Sequence, residues 1–448
     1  MQTIEVGQTF VEFYGQRGFS LLPSSSLLHP SVPMSFVMSA GLVQVETALD
    51  QIGKRNGHKY ALVQRCFRYF DVDAVGNDAA HLSLFEMPAA FSFNALKKLD
   101  IVGLIWELLT SRYGIDPRDL WVTYFAGGTR AGHAFAEDDE TRNAWLDVGM
   151  PAGRIVGLGV DDNLWVQGDG IEGNVRYRKA GPNTEIFFDR GQELACGPDC
   201  RPPCRCGRFV EFANSLFVKS EIDIETNRLR ALAEPFLETV IGTERLAMIL
   251  QGRESVFEID ALQPLMDAIR RFGGAAETVN GNRVKAERIL ADHVRALCFL
   301  VADGAPEPGK DGRSRLIKIL IRRAVTYQIL LGIEGEPLVP ELVDIIVGGD
   351  QQKANLAQAH DRMLAFYTAE ADRFEDTLAS GRRRVERLLR QNGSSPLTGQ
   401  QIVTLEKQHG MPRVLSEAML QERGLDTDRA QYQRALEQWR RSVGSPAN

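Results

Sequence analysis

The sequence predicts an α+β fold, a mostly antiparallel sheet with flanking helices that is followed by an all-helical domain. Two observations lead to this prediction. Runs rich in β-branched and aromatic residues occur before about residue 250, separated by irregular insertions and not by regular helical crossovers. After that point, long helical patterns that stop at glycine take over. The 448 residues can form more than one core, and we expect one domain over residues 1–252 and a second over residues 253–448.

The expected elements follow from local patterns. The N-terminal stretch MQTIEVGQTFVEFYGQRGF is typical of an amphipathic helix, because it lacks the basic segment and cleavage site of a signal peptide. Strands are predicted over residues 81–93, 120–128 and 184–191, and a buried helix over residues 101–113. A long helix near the C-terminus is predicted by apolar residues at helical spacing: Met363, Phe366, Tyr367, Phe374, Leu378, Val385 and Leu388.

The composition is typical of a globular protein. Hydrophobic residues make up 44% of the chain and charged residues 25%. No apolar run reaches the roughly 18 residues of a membrane span, so we expect a cytoplasmic protein. The net charge of −7 argues against a broadly cationic nucleic-acid coat, although it is compatible with a local basic patch.

Basic residues concentrate in two stretches of the second half. The first contains Lys310, Arg313, Arg315, Lys318, Arg322 and Arg323, and the second contains Arg382, Arg383, Arg384, Arg387 and Arg390. Such stretches are either solvated helix faces with ion pairs or a surface that contacts phosphates. The sequence leaves both interpretations open.

Four of the six cysteines are crowded into the stretch CGPDCRPPCRCGRF: Cys196, Cys200, Cys204 and Cys206. In the cytosol such cysteines rarely form disulfides. Four thiolates with glycine and proline between them can close a tetrahedral structural zinc site. The spacing is not the common two-residue knuckle, so four reduced loop cysteines remain the alternative. Cys66 and Cys298 lie among apolar residues and are expected to be buried thiols.

The stretch EPFLETVIGTERLAMIL, residues 234–250, places Arg245 where an apolar strand meets a helix. Arg68 lies on a second predicted strand, with Phe85 and Glu86 on the next one. Neither a Walker lysine loop nor a GxGxxG turn is present. A nucleotide site in this chain would therefore hold phosphates with arginines, whose planar fork suits phosphate oxygens. Taken singly, each arginine is more often part of a structural salt bridge.

Many segments resemble, in family order, the catalytic fragment of alanyl-tRNA synthetase, a class II aminoacyl-tRNA synthetase. They include RNGHKYALVQRCFR, LFEMPAAFSF, DNLWVQGD, GPNTEIFFD, FVEFANSLF, GTERLAMIL, ADHVRALCFLVADG and LIRRAVTYQILLG, and they cover nearly the whole chain. The resemblance implies an adenylation domain followed by a helical domain similar to the tRNA-acceptor-binding domain. It also implies that the chain uses ATP and Mg²⁺ to convert an amino acid to aminoacyl-AMP.

The resemblance assigns ATP-handling roles to four residues. Arg68 is similar to the motif 2 arginine that holds the α-phosphate, where it would neutralise charge growing on phosphorus. Phe85 and Glu86 match the second motif 2 strand, beside the adenine. Arg245 matches the motif 3 arginine near the adenine and the γ-phosphate. We expect Arg68 and Arg245 to be catalytic.

The resemblance also implies an altered amino-acid pocket. Trp165 and Asn214 match pocket positions, and Glu238 matches the aspartate that binds the ammonium group. The family's DTGMGLER reads ETVIGTER here, so Val240 replaces a glycine. This change predicts a smaller or reshaped pocket for alanine or glycine, which differ by a methyl group worth only about 1–3 kcal/mol. In GPNTEI, Asn183 stands where the family has a cysteine.

Other departures concern tRNA. The loop after Arg68 is shorter than in the family and lacks its lysine, which puts tRNA delivery in doubt more than adenylation. Ile329 and Val414 stand where the family reads a G·U pair of the acceptor stem, and apolar side chains cannot hydrogen-bond base edges. The chain ends before the family's editing and oligomerisation domains, so we expect an unedited product and a monomer or small oligomer.

Three functions are consistent with these features. The favoured one is a ligase that activates alanine or glycine and passes the aminoacyl group to an acceptor other than tRNA of alanine, such as a carrier thiol, a small amine or another tRNA. The second is a compact alanyl-tRNA synthetase without editing that reads its tRNA differently. The third is a non-catalytic binding or regulatory paralogue.

Overall fold

The computed structural model describes residues 1–29, 38, 40–42, 45, 57–167, 176–273, 283–333, 337–349, 354–393 and 395–444. The chain divides into two compact units. The first comprises Met1–Arg68 and Leu84–Leu262, and the second comprises Tyr69–Ser83 and Gln263–Asn448. The boundary expected at residue 252 thus lies inside the first unit, and the loop over residues 69–83 belongs to the second.

The first unit is built on a sheet of nine strands among the described residues. Its strands are β1 Ser20–Leu21, β2 His58–Phe67, β3 Leu84–Phe93, β4 Leu120–Phe125, β7 Ile155–Leu158, β8 Leu164–Val166, β9 Tyr177–Asp189, β10 Phe209–Asp223 and β11 Leu229–Ile241, and β5 Gly128–Arg130 and β6 His133–Phe135 form a separate pair. The order in the sheet is β1-β2-β3-β11-β10-β9-β4-β7, and β8 pairs with β9. The pairs β1–β2 and β4–β7 are parallel and the others are antiparallel, which agrees with the mostly antiparallel sheet that the pattern predicted.

Helices accompany this sheet. They are α1 Thr3–Gly15, α2 Lys98–Glu107, α3 Asp139–Asp147 and α4 Thr243–Leu250. The N-terminal helix α1 buries Val6, Phe10, Phe13 and Tyr14, which recur at the spacing of one helical face. The helix predicted over 101–113 is α2, continued by a π-type turn over Leu108–Arg112.

The two faces of the central strands carry different side chains, because successive residues of a strand point to opposite faces. On one face, the hydroxyls of Ser215 and Thr239 lie 2.9 Å apart and are buried. On the other face, an apolar cluster includes Phe91, Leu216 and Val240. The candidate active site is built on this second face.

The second unit is helical, which confirms the predicted arrangement of a sheet domain followed by helices. Its helices are α5 Gln263–Phe272, α6 Arg283–Ala302, α7 Gly312–Leu330, α8 Leu338–Gly349, α9 Ala354–Asn392, α10 Gly399–His409, α11 Arg413–Gln421 and α12 Arg429–Gly444. The apolar stripe predicted for the long helix α9 lies largely inside, since Met363, Phe374 and Val385 are at most 1% exposed. Over the described ranges, no helix combines the length and hydropathy that crossing a membrane requires.

Residues 69–83 are held by the helices α6 and α7. The backbone N–H of Ser83 donates to Asp292 of α6 at 2.8 Å, and the Ser83 hydroxyl bonds the same carboxylate. Nδ1 of His293 lies 2.9 Å from Asp292, and Arg323 of α7 donates to Nε2 of His293 at 2.8 Å and to Asp73 at 2.9 Å. Burial lowers the pKa of His293, so the imidazole is neutral and links the carboxylate to the guanidinium.

Candidate active site

One row of residues crosses four adjacent strands on the second face of the sheet. Leu216 of β10 pairs with Asn183 of β9 on one side and with Glu238 of β11 on the other. Glu238 in turn pairs with Phe91 of β3. Because neighbouring strands are spaced by about 4.8 Å, the Cα atoms of Asn183 and Glu238 are separated by about 10 Å. A small molecule can lie between the two polar side chains.

Glu238 is a buried acid on the floor of this face, with 6% of its surface exposed. No hydrogen bond or ion pair joins it to another of the described residues. Burial raises its pKa to about 7, and the charge of Arg68 opposes that rise. No described cation contacts this carboxylate directly, and an ammonium group would supply such a contact.

A second row carries Glu185, Asn214 and Val240 at paired positions of β9, β10 and β11. The pKa of Glu185 rises to about 8, first because of burial and then because of the neighbouring charge of Glu211. A bulge between Glu211 and Ala213 shifts the register of β10 at this point. Glu211 pairs with Phe187, two residues beyond Glu185 on β9, so the two acids are neighbours at the edge of this face.

Trp165 and Val240 supply apolar walls. Trp165 in β8 pairs with Gly181 of β9 and packs against the apolar cluster of the second face. A side chain at Gly181 would collide with the backbone of Phe217, so only glycine permits this close strand approach. Val240 is 8% exposed and belongs to the same cluster. All four predicted pocket residues, Trp165, Asn214, Glu238 and Val240, thus lie on one face.

Arg68 lies one residue beyond the end of β2, not on the strand where the pattern placed it. Its guanidinium carbon is 4.9 Å from the centroid of the Phe85 ring. Phe85 is the cross-strand partner of Cys66 on β3, so the ring is fixed by the hairpin. Stacking on a fixed ring orients the planar guanidinium.

Glu86 points to the face of β3 opposite to that of Phe85, because the two residues are consecutive in a strand. It pairs with Arg65, and their charged groups lie 3.6 Å apart. Its backbone N–H donates to the Glu244 carboxylate at 3.3 and 3.1 Å. Glu244 is 2% exposed and lies in the first turn of α4, so it ties β3 to the helix that carries Arg245.

Arg245 is the third residue of α4, which begins directly after β11. Its Nη1 donates to the backbone carbonyl of Glu211 at 2.8 Å and lies 3.7 Å from the Glu211 carboxylate. The N–H of Gly242 donates to Phe212 at 2.8 Å and fixes the strand-to-helix junction. The helix and the adjacent strand β10 therefore position this arginine together.

The four clustered cysteines come together in the loop between β9 and β10. Their sulfur atoms all lie within 4.8 Å of one another. Sγ of Cys196 is 3.4 Å from that of Cys204, and Sγ of Cys200 is 3.5 Å from that of Cys206. A tetrahedral zinc with sulfur at about 2.3 Å requires sulfur separations of about 3.8 Å, so the arrangement is compact enough for one ion.

The base of this loop is clamped to the sheet. Arg208 donates two hydrogen bonds of 2.7 Å to Asp189, and both side chains are buried. The indole of Trp121 donates to the same carboxylate at 3.0 Å, and Arg208 also donates to the carbonyl of Cys200 at 3.3 Å. These hydrogen bonds fix the base of the loop to β9 and β10, the strands that carry Glu185 and Asn214. Cys66 and Cys298 are buried free thiols, as predicted.

Comparison with protein families matches residues 5–445 to the family described as tRNA synthetases class II (A). This chain belongs to that family. The alanine–tRNA ligase of Dehalococcoides mccartyi is 33% identical over 437 residues, which are 97% of this chain and 48% of that protein. The alanine–tRNA ligase of Pelotomaculum thermopropionicum is 33% identical over 447 residues, 98% of this chain and 49% of that protein. The chain spans about half the length of the curated relatives it matches.

These matches confirm the predicted resemblance to the catalytic part of alanyl-tRNA synthetases, an AMP-forming class of ligases. Among solved structures, the apo histidyl-tRNA synthetase of S. aureus aligns with a TM-score of 0.34 at 11% identity, over 59% of this chain and 75% of that one. That likeness is too low to add to the assignment.

Sequence reasoning missed three acids in or next to the candidate site: Glu185, Glu211 and Glu244. The signal for the first two was present, since each is a carboxylate inside an otherwise apolar strand segment, TEIFF and FVEF. Glu244 was visible next to Arg245, but its partner, the backbone of β3, is distant in sequence. Of the predicted ATP-handling residues, the structure brings Arg68 and Phe85 together and places Glu86 on the other face.

Proposed function

We propose that this chain activates a small amino acid, alanine or glycine, and transfers it to an acceptor other than tRNA of alanine. The observation that supports this most directly is the buried Glu238, whose carboxylate forms no hydrogen bond or ion pair with another described residue, on the sheet face that also carries Asn214 and Trp165. Such a site suits the ammonium group of an amino acid with a small side chain. The relatives are named alanine–tRNA ligases, which supports alanine as one of the two candidate substrates.

In the activation step, a carboxylate oxygen of the amino acid attacks the α-phosphorus of ATP. The new carbon-oxygen-phosphorus linkage forms as the bond from the α-phosphorus to the bridging oxygen breaks, and pyrophosphate leaves with that oxygen. Arg68, oriented by Phe85, would neutralise charge on the α-phosphate. Arg245, fixed by Glu211, would hold the terminal phosphate charge.

Mg²⁺ is expected with ATP, and the two neighbouring acids fit it. Glu185 and Glu211 repel each other, which contributes to the raised pKa of about 8 at Glu185. A hard divalent cation binds carboxylate oxygens and would remove that repulsion. Bound there, Mg²⁺ would neutralise the phosphate oxygens of ATP, while the two carboxylates hold it in place.

We also propose that Cys196, Cys200, Cys204 and Cys206 bind one structural zinc ion. Their sulfur atoms are close enough for a single tetrahedral ion. No histidine or carboxylate belongs to the described cluster, which favours a closed structural site over a catalytic one.

The acceptor is inferred from the second unit. Ile329 lines a cavity of about 370 Å³ between α7 and α9, together with Val325, Ile333 and Leu378. Val414 lies in the first turn of α11. Apolar side chains at both reading positions would each forgo about 1–3 kcal/mol of base discrimination. An acceptor such as a carrier thiol or a small amine does not need these contacts.

The second candidate is a compact alanine–tRNA ligase, and exposed arginines favour it. Arg382, Arg383, Arg384, Arg387 and Arg390 are exposed along the C-terminal half of α9, where phosphates could bind. Charging assays with tRNA of alanine separate the two candidates. We expect the enzyme to release pyrophosphate and accumulate aminoacyl-AMP without transfer to this tRNA. Charging at a typical synthetase rate of about 1–10 per second would overturn the proposed acceptor class.

A further inference from the structure

The side-chain oxygen of Asn183 is a buried acceptor without a donor. Oδ1 is inaccessible to solvent and has no hydrogen-bond partner among the described residues. An unsatisfied buried acceptor costs about 1–3 kcal/mol, so it needs an explanation. A bound ligand that brings a donor is one explanation, and a buried water molecule is the other.

The rest of Asn183 is fixed. Its N–H donates to the carbonyl of Asn163 at 3.0 Å, and its own carbonyl accepts from the Asn163 side chain at 3.1 Å. A hydrogen bond from its side-chain amide to Glu185 opposes the raised pKa of that carboxyl. With the nitrogen turned to Glu185, the oxygen is left to accept from elsewhere.

Asn183 lies beside the proposed ammonium-binding position. It shares a register row with Glu238, with only Leu216 between them. Trp165 pairs with Gly181, two residues earlier on the same face, and closes the outer edge. An amino acid whose ammonium group binds Glu238 would therefore have its side chain within the span that Asn183 borders.

We propose that Asn183 is a specificity-determining residue whose Oδ1 accepts a hydrogen bond from the substrate side chain. The site then prefers a small amino acid that carries a donor, a hydroxyl or an amine, on its β-carbon over alanine or glycine. This inference rests on the proposed function in that it keeps the activation step, but it replaces alanine or glycine as the preferred substrate by a small amino acid with a side-chain donor. It sharpens the substrate class, because a site that hydrogen-bonds a substrate group discriminates strongly against analogues that lack it.

Two substitutions of Asn183 separate the acceptor from the volume of the side chain. A thiol is a weaker acceptor than an amide oxygen, so Asn183→Cys removes the acceptor with little change in volume. Asn183→Asp keeps an oxygen acceptor at the same place. Both variants lose the amide that donates to Glu185, so a difference between them reports on the acceptor alone.

The test compares amino acids in ATP–pyrophosphate exchange with the wild-type protein and both variants. The probes are alanine, serine, O-methylserine, which keeps the oxygen but lacks the donor, and 2,3-diaminopropionate, which offers an amine. We expect kcat/KM for serine or the diamino acid to exceed that for alanine and O-methylserine by about tenfold or more, the worth of one hydrogen bond. Asn183→Cys should abolish this preference and Asn183→Asp should retain it.

Thermal stabilisation by the same amino acids provides a readout that does not need turnover. Equal stabilisation and equal exchange with alanine and serine would overturn the inference and leave a buried water as the partner of Oδ1, while the proposed function would stand. Absence of exchange with every amino acid would contradict the proposed function. In that case, a larger thermal shift with serine than with alanine, lost in Asn183→Cys, would still support the assigned contact.

Discussion

Glu238 shows how a single residue links the sheet to the chemistry. It lies inside β11, where it is 6% exposed and its carboxyl forms no hydrogen bond or ion pair with another described residue. Its pKa of about 7 means that the carboxyl is partly protonated near neutral pH. In the proposed site the ionised carboxyl binds the substrate's ammonium group, so we expect substrate binding and the titration of this residue to be coupled.

The first prediction follows from that coupling. KM for the amino acid should rise by about tenfold per pH unit as the pH falls below about 7, because only the ionised carboxylate attracts the ammonium group. Glu238→Gln should raise KM at high pH and remove this dependence. Steady-state exchange kinetics between about pH 6 and pH 8 measure it, and a pH-independent KM in the wild-type protein would contradict the assignment.

The ionised Glu238 carboxyl that favours substrate binding should lower the stability of the folded protein, so stability should fall as the pH rises. The folded pKa of Glu238 is raised from 4.5 to about 7, so the folded state binds more protons than the unfolded state between these values. The contribution to stability is full below the unfolded pKa and is lost as the pH rises through the folded pKa. Glu238→Gln should therefore gain melting temperature relative to the wild-type protein above about pH 7 and not near pH 4.

Arg68 carries the second prediction. It lies just outside its strand and contacts the Phe85 ring, a contact worth about 0.5–1 kcal/mol at an exposed site. Because this contact is weak, Arg68→Ala should change the melting temperature little. It should lower the rate of amino-acid activation by about 100-fold or more, because charge on the α-phosphate would no longer be neutralised. Arg118→Ala is the matched control, since Arg118 is 87% exposed and, among the described residues, forms its ion pair with the nearby Asp116. Unfolding of the Arg68 variant would show a structural role instead.

At the scale of elements, the cysteine loop joins the two strands that carry most of the pocket. Phe187 and Phe209 pack against Cys200, and Asp189 and Arg208 pair at the loop base. A zinc ion in the loop would stabilise the ends of β9 and β10, which carry Glu185 and Asn214. Metal binding in this loop is thus expected to influence the pocket through the sheet.

The third prediction concerns that zinc. The purified protein should contain one equivalent of zinc by elemental analysis, and Cys200→Ser should lose it with a lower melting temperature. Hydrogen exchange should quicken in β9 and β10 more than in α6. Arg205→Ala changes an exposed residue of the same loop and should have no effect. Zinc-free wild-type protein with unchanged stability would favour four reduced cysteines.

The elements that sequence could predict are those set by local periodicity. The stripe on α9, the strands near residues 84–93 and 177–189, and the N-terminal helix all follow from patterns of a few residues. The pairing register of the strands could not be predicted from such local patterns, because β11 lies between β3 and β10, which are far from each other in sequence. The row of Asn183, Leu216 and Glu238 exists only once these distant strands pair.

At the scale of the whole molecule, the two units divide the predicted features. The sheet unit carries the residues proposed to bind ATP and the amino acid, among them Glu238 and Val240. The helical unit carries Ile329 and Val414, apolar residues at the positions proposed to read tRNA. In the proposed function, the two apolar residues would form no base contacts, and Glu238 and Val240 would reshape the pocket. Activation is thus the part of the proposed function that most observations support.

The most direct test of that claim is amino-acid-dependent ATP–pyrophosphate exchange by the purified chain, across the common amino acids and without any tRNA. We predict exchange with a small amino acid, abolished in Arg68→Ala. The identity of the preferred amino acid would report how Glu238, Val240 and Asn183 shape the pocket. Binding of ATP without exchange for any small amino acid would contradict activation and indicate a scaffold that has lost its chemistry.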